Sequence, residues 1–139
     1  MPAPASDPDA KLDVDERAVE LLTADGTQIA ANWFVPGIHA LPPTAVVVVA
    51  CGAGIAARFY RRLASYLAGR GAAVLTFDYR GIGASRSGSL RGVQGGMDLW
   101  AVQDMAAALA HARGCFADLP MGAVAHSVGA LLLGAAPGS

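Results

Sequence analysis

Residues 44–50, Thr-Ala-Val-Val-Val-Val-Ala, contain the longest strongly apolar run of the chain, residues 45–50. Valines follow one another without any alternation of apolar and polar positions. Such a pattern predicts a strand that is buried on both faces, as in a parallel sheet covered by helices. Residues 51–54 follow directly and contain two glycines, so we expect the strand to end in a tight turn.

The chain downstream of this strand repeats the order of strand, then helix. Hydrophobic periodicity predicts a helix over residues 58–68, a buried strand over 72–77, a helix over 97–112, a buried strand over 120–125 and the start of a helix over 128–136. The predicted core faces are Phe59, Leu63, Tyr66 and Leu67 on the first helix, and Met97, Ala101, Met105, Ala108 and Leu109 on the second.

The chain upstream of this strand predicts a β-hairpin. Residues 18–23 and 27–35 are short extended stretches, and Asp25-Gly26 between them is a strong hairpin signal. Prolines and a glycine then predict a loop over residues 36–43. The whole pattern indicates an α/β fold with a mostly parallel sheet, helices on both faces and an opening antiparallel hairpin.

Composition narrows the class of protein. The 139-residue chain is 54% hydrophobic and 15% charged, which fits one globular domain, and its net charge of −1 predicts no nucleic-acid partner.

Residues 1–16 are rich in Pro, Asp and Ala, so we expect a disordered leader rather than a signal peptide. No apolar run approaches the roughly 20 residues of a membrane span, and we expect a cytoplasmic protein. Cys51 and Cys115 lack metal-binding spacing, which predicts free thiols and no metal site.

The third glycine-rich turn, residues 125–129, carries a candidate nucleophile. Ser127 stands between a predicted strand and a predicted helix, which is the context of a nucleophile elbow. The small residues Ala125 and Gly129 leave room for the chain to fold back. The Val128 N–H at the start of the helix would then stabilise an oxyanion. Ser127 could instead be a simple helix cap.

The first glycine turn allows a second interpretation. Gly52, Gly54 and Ala57 satisfy the G-x-G-x-x-G/A dinucleotide fingerprint. Asp78 follows 24 residues after Gly54, where an acid that binds a ribose would stand. A dinucleotide-binding oxidoreductase is therefore an alternative, although a hairpin precedes the turn and the Arg80-Gly81-Ile82-Gly83 sequence is unexplained by it.

The three turns together resemble the α/β-hydrolase superfamily, in particular its bacterial serine-aminopeptidase-like branch. The resemblance covers residues 17–136, and its most specific motif is D-Y-R-G-x-G-x-S at residues 78–85. It implies a serine hydrolase that acts on an ester, amide or related acyl bond of a small molecule, without a cofactor. Ser127 would be the nucleophile, and the N–H groups of Val128 and Ala53, or Gly54 in place of Ala53, would form the oxyanion hole.

The chain departs from the family pattern in three respects. Cys51 stands where His is common, and Ala125 stands where Gly is common. The family order of serine, acid and histidine would place the last two beyond residue 139. We therefore expect residues 17–139 to be the N-terminal half of one domain, truncated after the elbow, with no significant hydrolase turnover.

The polar residues that are present have no sequence-based reason to activate Ser127. We expect His126 to pack in or beside the sheet and the helix carboxylates to be solvated; the candidates are His39, His111, His126, Asp98 and Asp104. An exposed edge at the last strand would favour self-association. A non-catalytic interaction module of hydrolase ancestry is the third interpretation.

Overall fold

A five-stranded mixed sheet forms the centre of the computed structural model, which describes residues 13–86 and 96–137. The strands lie in the order β1-β2-β4-β3-β5. Their bounds are β1 (Val14–Leu22), β2 (Gln28–Pro36), β3 (Ala45–Ala50), β4 (Ala72–Phe77) and β5 (Met121–Ala125). Strands β3, β4 and β5 pair in parallel, while β1 pairs antiparallel with β2 and β2 antiparallel with β4. This confirms the predicted α/β sheet opened by a hairpin.

The predicted hairpin is present, with small changes in its bounds. Strands β1 and β2 pair from Leu22 opposite Gln28 to Val14 opposite Pro36. The turn between them is closed by the Thr23 N–H, which donates to the Thr27 carbonyl at 2.9 Å. Strand β1 begins at Val14, so residues 14–16 belong to the sheet and the predicted leader of residues 1–16 was too long. Residues 1–12 lie outside the described residues.

The two central strands are buried as the sequence predicts, and the last strand is not. Residues 73–77 of β4 are almost completely buried, as are Val46 and residues 48–50 of β3. In β5, however, residues 122–125 are exposed. The prediction of a third buried strand was wrong because, among the described residues, β5 pairs with β3 alone and leaves its other edge open.

Helix α1 (Arg61–Gly69), which follows a 3-10 turn (Ala57–Tyr60), packs on the sheet through small residues. The alanines Ala57, Ala64 and Ala68 are buried. Phe59 and Tyr66, predicted for the core face, are 69% and 51% exposed, and Leu63 is also exposed. Leu67, the fourth predicted residue, is partly buried and packs against the core. The rest of the predicted face was wrong because the helix meets the sheet mainly through alanines.

The second predicted helix consists of three continuous segments, α2 (Met97–Leu99), a π-helical segment (Trp100–Met105) and α3 (Ala106–Cys115). Four of its five predicted core residues are buried, whereas Met97 is 48% exposed. The last helix, α4 (Val128–Ala135), begins directly after Ser127 as predicted. No helix in residues 13–86 and 96–137 is long and apolar enough to cross a membrane.

Helices cover both faces of the sheet. The contacts of Asp78 and Tyr79, two neighbouring residues directly after β4, show this. The Asp78 side chain accepts a hydrogen bond from the Ala57 N–H just before α1. The Tyr79 ring stacks on Trp100 of the π-helical segment at 5.0 Å between centroids. Because successive side chains of an extended chain point to opposite faces, α1 and the 97–115 helix lie on opposite sides.

Candidate active site

Ser127 occupies a strained turn between β5 and α4. Its backbone has φ 55° and ψ −124°, and it is the one non-glycine residue with a positive φ among the residues that the structure describes. Such a conformation costs about 1–3 kcal/mol and requires support from its surroundings. The side chain makes no capping hydrogen bond to α4, and the residue is exposed. The helix-cap interpretation of Ser127 therefore lacks its hydrogen bond.

The backbone around Ser127 is held against the end of β3. The His126 N–H donates to the Ala50 carbonyl at 3.0 Å, and the Gly129 N–H donates to the His126 carbonyl at 3.0 Å. A Cβ at Gly129 would lie 2.7 Å from the Cys51 carbonyl oxygen and closer still to that of Ala50. Position 129 therefore requires glycine because any side chain there would overlap the backbone at the end of β3.

The two predicted oxyanion donors lie in the first turn of α4 and in the loop after β3. The Val128 N–H belongs to the first turn of α4, where backbone donors have no acceptor within the helix. Ala53 is exposed in the loop after β3, and its N–H has no acceptor within the described part of the chain. Within the described residues, neither N–H group therefore has a backbone acceptor.

Two tyrosines that the sequence analysis missed hold the loop after β3. The Tyr60 hydroxyl accepts a hydrogen bond from the Gly52 N–H at 2.9 Å, and the Tyr79 hydroxyl donates to the Cys51 carbonyl at 3.1 Å. Burial raises the pKa of the Tyr79 hydroxyl, which therefore remains a donor. No pattern in the sequence connects these tyrosines to the loop. Each tyrosine restrains the backbone of this loop through one hydrogen bond.

Cys51 is buried and points away from the site. Its Sγ lies 3.7 Å from the Phe77 carbonyl oxygen, and burial raises its pKa to about 12. The thiol is therefore protonated and unreactive at neutral pH. Cys51 and Cys115 are both free, as predicted, although Cys115 is exposed.

Asp78 organises the second glycine turn. Its two carboxylate oxygens accept hydrogen bonds from the Ala57 N–H at 2.6 Å and the Ala84 N–H at 3.0 Å. A Cβ at Gly83, where φ is 51°, would lie 2.7 Å from this carboxylate. Ser85 completes the loop by donating to the Asp78 carbonyl at 2.7 Å. The loop motif is therefore a hydrogen-bonded support for the site.

These contacts weaken the dinucleotide interpretation. That interpretation needs the Asp78 carboxylate to face a ribose. In the structure this carboxylate accepts a hydrogen bond from the Ala57 N–H instead, and Asp78 is only 7% exposed. The helix after the turn also begins as a 3-10 turn rather than at the glycines.

Arg80 joins three parts of the chain in a buried ion-pair network. Its guanidinium donates to Asp104 of the π-helical segment at 2.8 and 2.9 Å, and to Asp25 of the hairpin turn at 2.8 and 3.1 Å. Asp104 is completely buried, so the prediction of a solvated carboxylate was wrong. The arginine supplies the charge that makes burial of Asp104 tolerable.

The predicted histidines do not reach the Ser127 hydroxyl. His126 is exposed and lies beside the end of the sheet rather than in it; its Nδ1 lies 2.8 Å from the Tyr60 hydroxyl. His111 accepts a hydrogen bond from Trp33 Nε1 at 3.0 Å, and burial lowers its pKa. His39 and Asp98 are exposed on other segments.

No group of three His, Cys, Asp or Glu in residues 13–86 and 96–137 could hold a metal ion.

Comparison with protein families identifies this arrangement. Residues 41–136 match the family model of the serine aminopeptidases, S33. The chain belongs to this α/β-hydrolase family. The match runs from the segment before β3 to the end of α4, so it contains Ser127 and both glycine-rich loops of this chain. Comparison with curated proteins gave no sequence match.

Solved structures with the same fold include several esterases. The Pyrococcus furiosus esterase Pf2001 has a TM-score of 0.68 at 21% identity, with 87% of this chain and 45% of that chain covered. A cold-adapted esterase from an Arctic intertidal metagenomic library gives a TM-score of 0.66 at 22% identity, with 95% of this chain and 58% of that chain covered. A carboxyl esterase from Bacillus coagulans gives a TM-score of 0.71 at 20% identity, with 84% of this chain and 38% of that chain covered. This S33 chain thus spans about half the length of these structures.

Proposed function

We propose that this chain carries the nucleophile and oxyanion hole of a serine hydrolase that acts on an ester, amide or related acyl bond. The observation that carries the proposal is the positive φ of Ser127, with its hydroxyl exposed beside the start of α4. The N–H groups of Val128 and Ala53 are the oxyanion donors. Residues 17–139 would form the N-terminal part of the hydrolase domain, and the substrate would be a small acyl compound.

The proposed reaction is acyl transfer in two steps. The Ser127 oxygen adds to the acyl carbon while its proton passes to a base, and the negative oxygen that forms is stabilised by the two N–H groups. The alcohol or amine then leaves with a proton. Water next attacks the acyl-serine, which releases the acid and restores the hydroxyl group.

The base of this reaction lies outside the residues described above. Within residues 13–86 and 96–137 no imidazole or carboxylate forms a hydrogen bond with the Ser127 hydroxyl. An unassisted serine hydroxyl is a weak nucleophile at neutral pH. We therefore expect the 139-residue chain alone to have no significant turnover of short p-nitrophenyl esters, and turnover that disappears in Ser127→Ala would contradict this expectation.

A fluorophosphonate probe with added imidazole tests the nucleophile itself. Imidazole replaces the missing base: the Ser127 oxygen bonds to phosphorus, fluoride leaves with the electron pair of the P–F bond, and imidazole takes the hydroxyl proton. Mass spectrometry of the digested chain should find the adduct on Ser127, with a rate that rises with imidazole concentration. Ser65 on α1 is the internal control, because no oxyanion donors surround it.

The outcomes separate the proposed function from its alternatives. Labelling at Ser127 but not at Ser65, and its loss in Ser127→Ala, would support the hydrolase proposal. Absence of labelling at Ser127, both here and in a chain extended by its downstream coding sequence, would favour a non-catalytic interaction module. A rise in melting temperature with NAD⁺ or NADP⁺ would instead support the dinucleotide interpretation.

A further inference from the structure

A single hydroxyl group connects the loop after β3 to the residue before the nucleophile. Tyr60, at the end of the 3-10 turn that leads into α1, accepts a hydrogen bond from the Gly52 N–H at 2.9 Å. The same oxygen lies 2.8 Å from Nδ1 of His126. The Tyr60 and His126 rings meet edge to face, with 5.9 Å between centroids. Tyr60 therefore touches both segments that carry an oxyanion donor.

The direction of these hydrogen bonds follows from the chemistry of the groups. The Tyr60 oxygen already accepts the Gly52 N–H, so its own proton needs an acceptor. Nδ1 of His126 is the acceptor within hydrogen-bond distance among the described residues. We assign the neutral His126 ring as the tautomer with its proton on Nε2. This tautomer is a donor at Nε2, so His126 does not act as a base toward Ser127.

The contact is close enough to determine the local geometry. A Cβ at Gly52 would lie 3.3 Å from His126 Nδ1, 3.5 Å from the Tyr60 hydroxyl and 3.0 Å from the Ile55 side chain. Gly52 thus packs directly on both Tyr60 and His126, and its N–H bonds to Tyr60 alone of the two. The residue after Gly52 is Ala53, and the second residue after His126 is Val128. A shift of this bridge would therefore move the two oxyanion donors relative to each other.

We propose that Tyr60 and His126 are positioning residues that set the spacing of the oxyanion hole. Tyr60 acts through Gly52 on the Ala53 N–H, and through His126 on the turn that presents Ser127 and the Val128 N–H. Neither side chain transfers a proton in the reaction. The inference rests on the proposed function of Ser127, and it adds two residues outside the nucleophile and the oxyanion donors.

Tyr60→Phe tests the bridge because it removes only the hydroxyl group. The rate of imidazole-assisted fluorophosphonate labelling of Ser127 should fall about tenfold, which is less than the 10²–10³-fold cost of deleting an oxyanion donor itself. Tyr66→Phe is the matched control, because Tyr66 lies on α1, which directly follows the turn of Tyr60, and its hydroxyl accepts from Arg70 on the surface. An unchanged labelling rate in Tyr60→Phe would overturn the inference.

A second pair of variants separates positioning from general damage to the fold. His126→Gln keeps a side-chain oxygen that can accept the Tyr60 proton, whereas His126→Leu keeps bulk but no acceptor. The labelling rate should be close to the parent value in His126→Gln and about tenfold lower in His126→Leu. Equal rates in the two variants would contradict the role of the acceptor.

Nuclear magnetic resonance provides a readout that does not depend on reactivity. In the unmodified chain, ¹⁵N spectra should show His126 with an unprotonated Nδ1, and Tyr60→Phe should shift the Gly52 amide proton upfield. A parent chain that is not labelled at Ser127 would defeat the proposed function, while these spectra would still test the bridge. A Gly52 signal unaffected by Tyr60→Phe would overturn the bridge alone.

Discussion

Gly129 follows the elbow serine by two residues and packs on the backbone at the end of β3. Its hydrogen atom faces the carbonyl groups of Ala50 and Cys51, where a Cβ has no space. Backbone atoms cannot rotate away as a flexible side chain can. The positive φ of Ser127 thus depends on a contact between segments almost eighty residues apart in the chain.

Gly129→Ala should lower the free energy of unfolding by about 1–3 kcal/mol, the usual cost of inserting atoms into a packed site. Gly134→Ala is the matched control in the same helix, because an added Cβ there meets nothing within 4 Å. Alanine also favours helix by up to about 1 kcal/mol, so Gly134→Ala should be neutral or stabilising. Urea unfolding of both variants checks this, and equal effects at the two positions would contradict it.

Helix α1 shows at the scale of an element why hydrophobic periodicity can select the wrong face. Leu63 and Tyr66 of α1 are exposed and Leu67 is only partly buried, while Ala64 and Ala68 are completely buried. Periodicity scores side chains by hydrophobicity and gives alanine little weight. Whether a helix fills its interface with leucine or with alanine depends on how far the strand side chains project, and this is a tertiary property.

Ala64→Leu should destabilise the fold by about 1–3 kcal/mol, although leucine is a good helix former, because the buried position has no room for three more carbon atoms. Ala110→Leu makes the same chemical change at an exposed position of α3 and should alter stability by less than about 0.5 kcal/mol. Chemical denaturation measures both. A neutral Ala64→Leu would show that α1 can move away from the sheet.

At the scale of the whole molecule, the ion pair of Arg80 with Asp25 makes the free energy of unfolding depend on pH. Hydrogen bonds from Arg80, with a smaller contribution from Thr23, hold the pKa of Asp25 below its ordinary value of about 3.9. A carboxylate with a depressed pKa in the folded state stabilises the fold above the ordinary pKa. This stabilisation is lost as the pH falls through the folded value.

Asp25→Asn should therefore be less stable than the parent at about pH 7. The difference should shrink at about pH 3, where this carboxylate binds a proton in the unfolded chain but stays ionised in the folded one. Asp98→Asn removes a charge from an exposed position and serves as the control. The measurement is urea unfolding at the two pH values. A difference between parent and Asp25→Asn that does not change with pH would contradict the role of the ion pair.

The open edge of β5 predicts association of the chain with itself. Residues 122–125 are exposed, and within the described sheet their outer backbone groups lack a partner strand. Sedimentation velocity should show association that increases with concentration and that Val124→Lys reduces. Val102→Lys, at an exposed position of the π-helical segment, should leave association unchanged. A parent chain that stays monomeric at all concentrations would contradict the prediction.

The sequence predicts those parts of the fold that depend on local chemistry. The Asp-Gly turn, the two central valine- and alanine-rich strands and the start of α4 after Ser127 all appear where the pattern placed them. The contacts of Asp104, Tyr60 and Tyr79 could not be predicted, because each depends on a partner more than eight residues away or on another element. A polar residue on a helix is usually solvated, and only the position of Arg80 in space makes Asp104 an exception.

The Arg80 network also has a consequence for the order of folding. The hairpin of β1 and β2 consists of local contacts and can form early. The ion pair of its turn residue Asp25 forms only when Arg80, 55 residues away, is in place. Arg80 in turn binds Asp104, a further 24 residues along. In hydrogen exchange, the amides of the hairpin turn and of the π-helical segment should therefore open together as one cooperative unit.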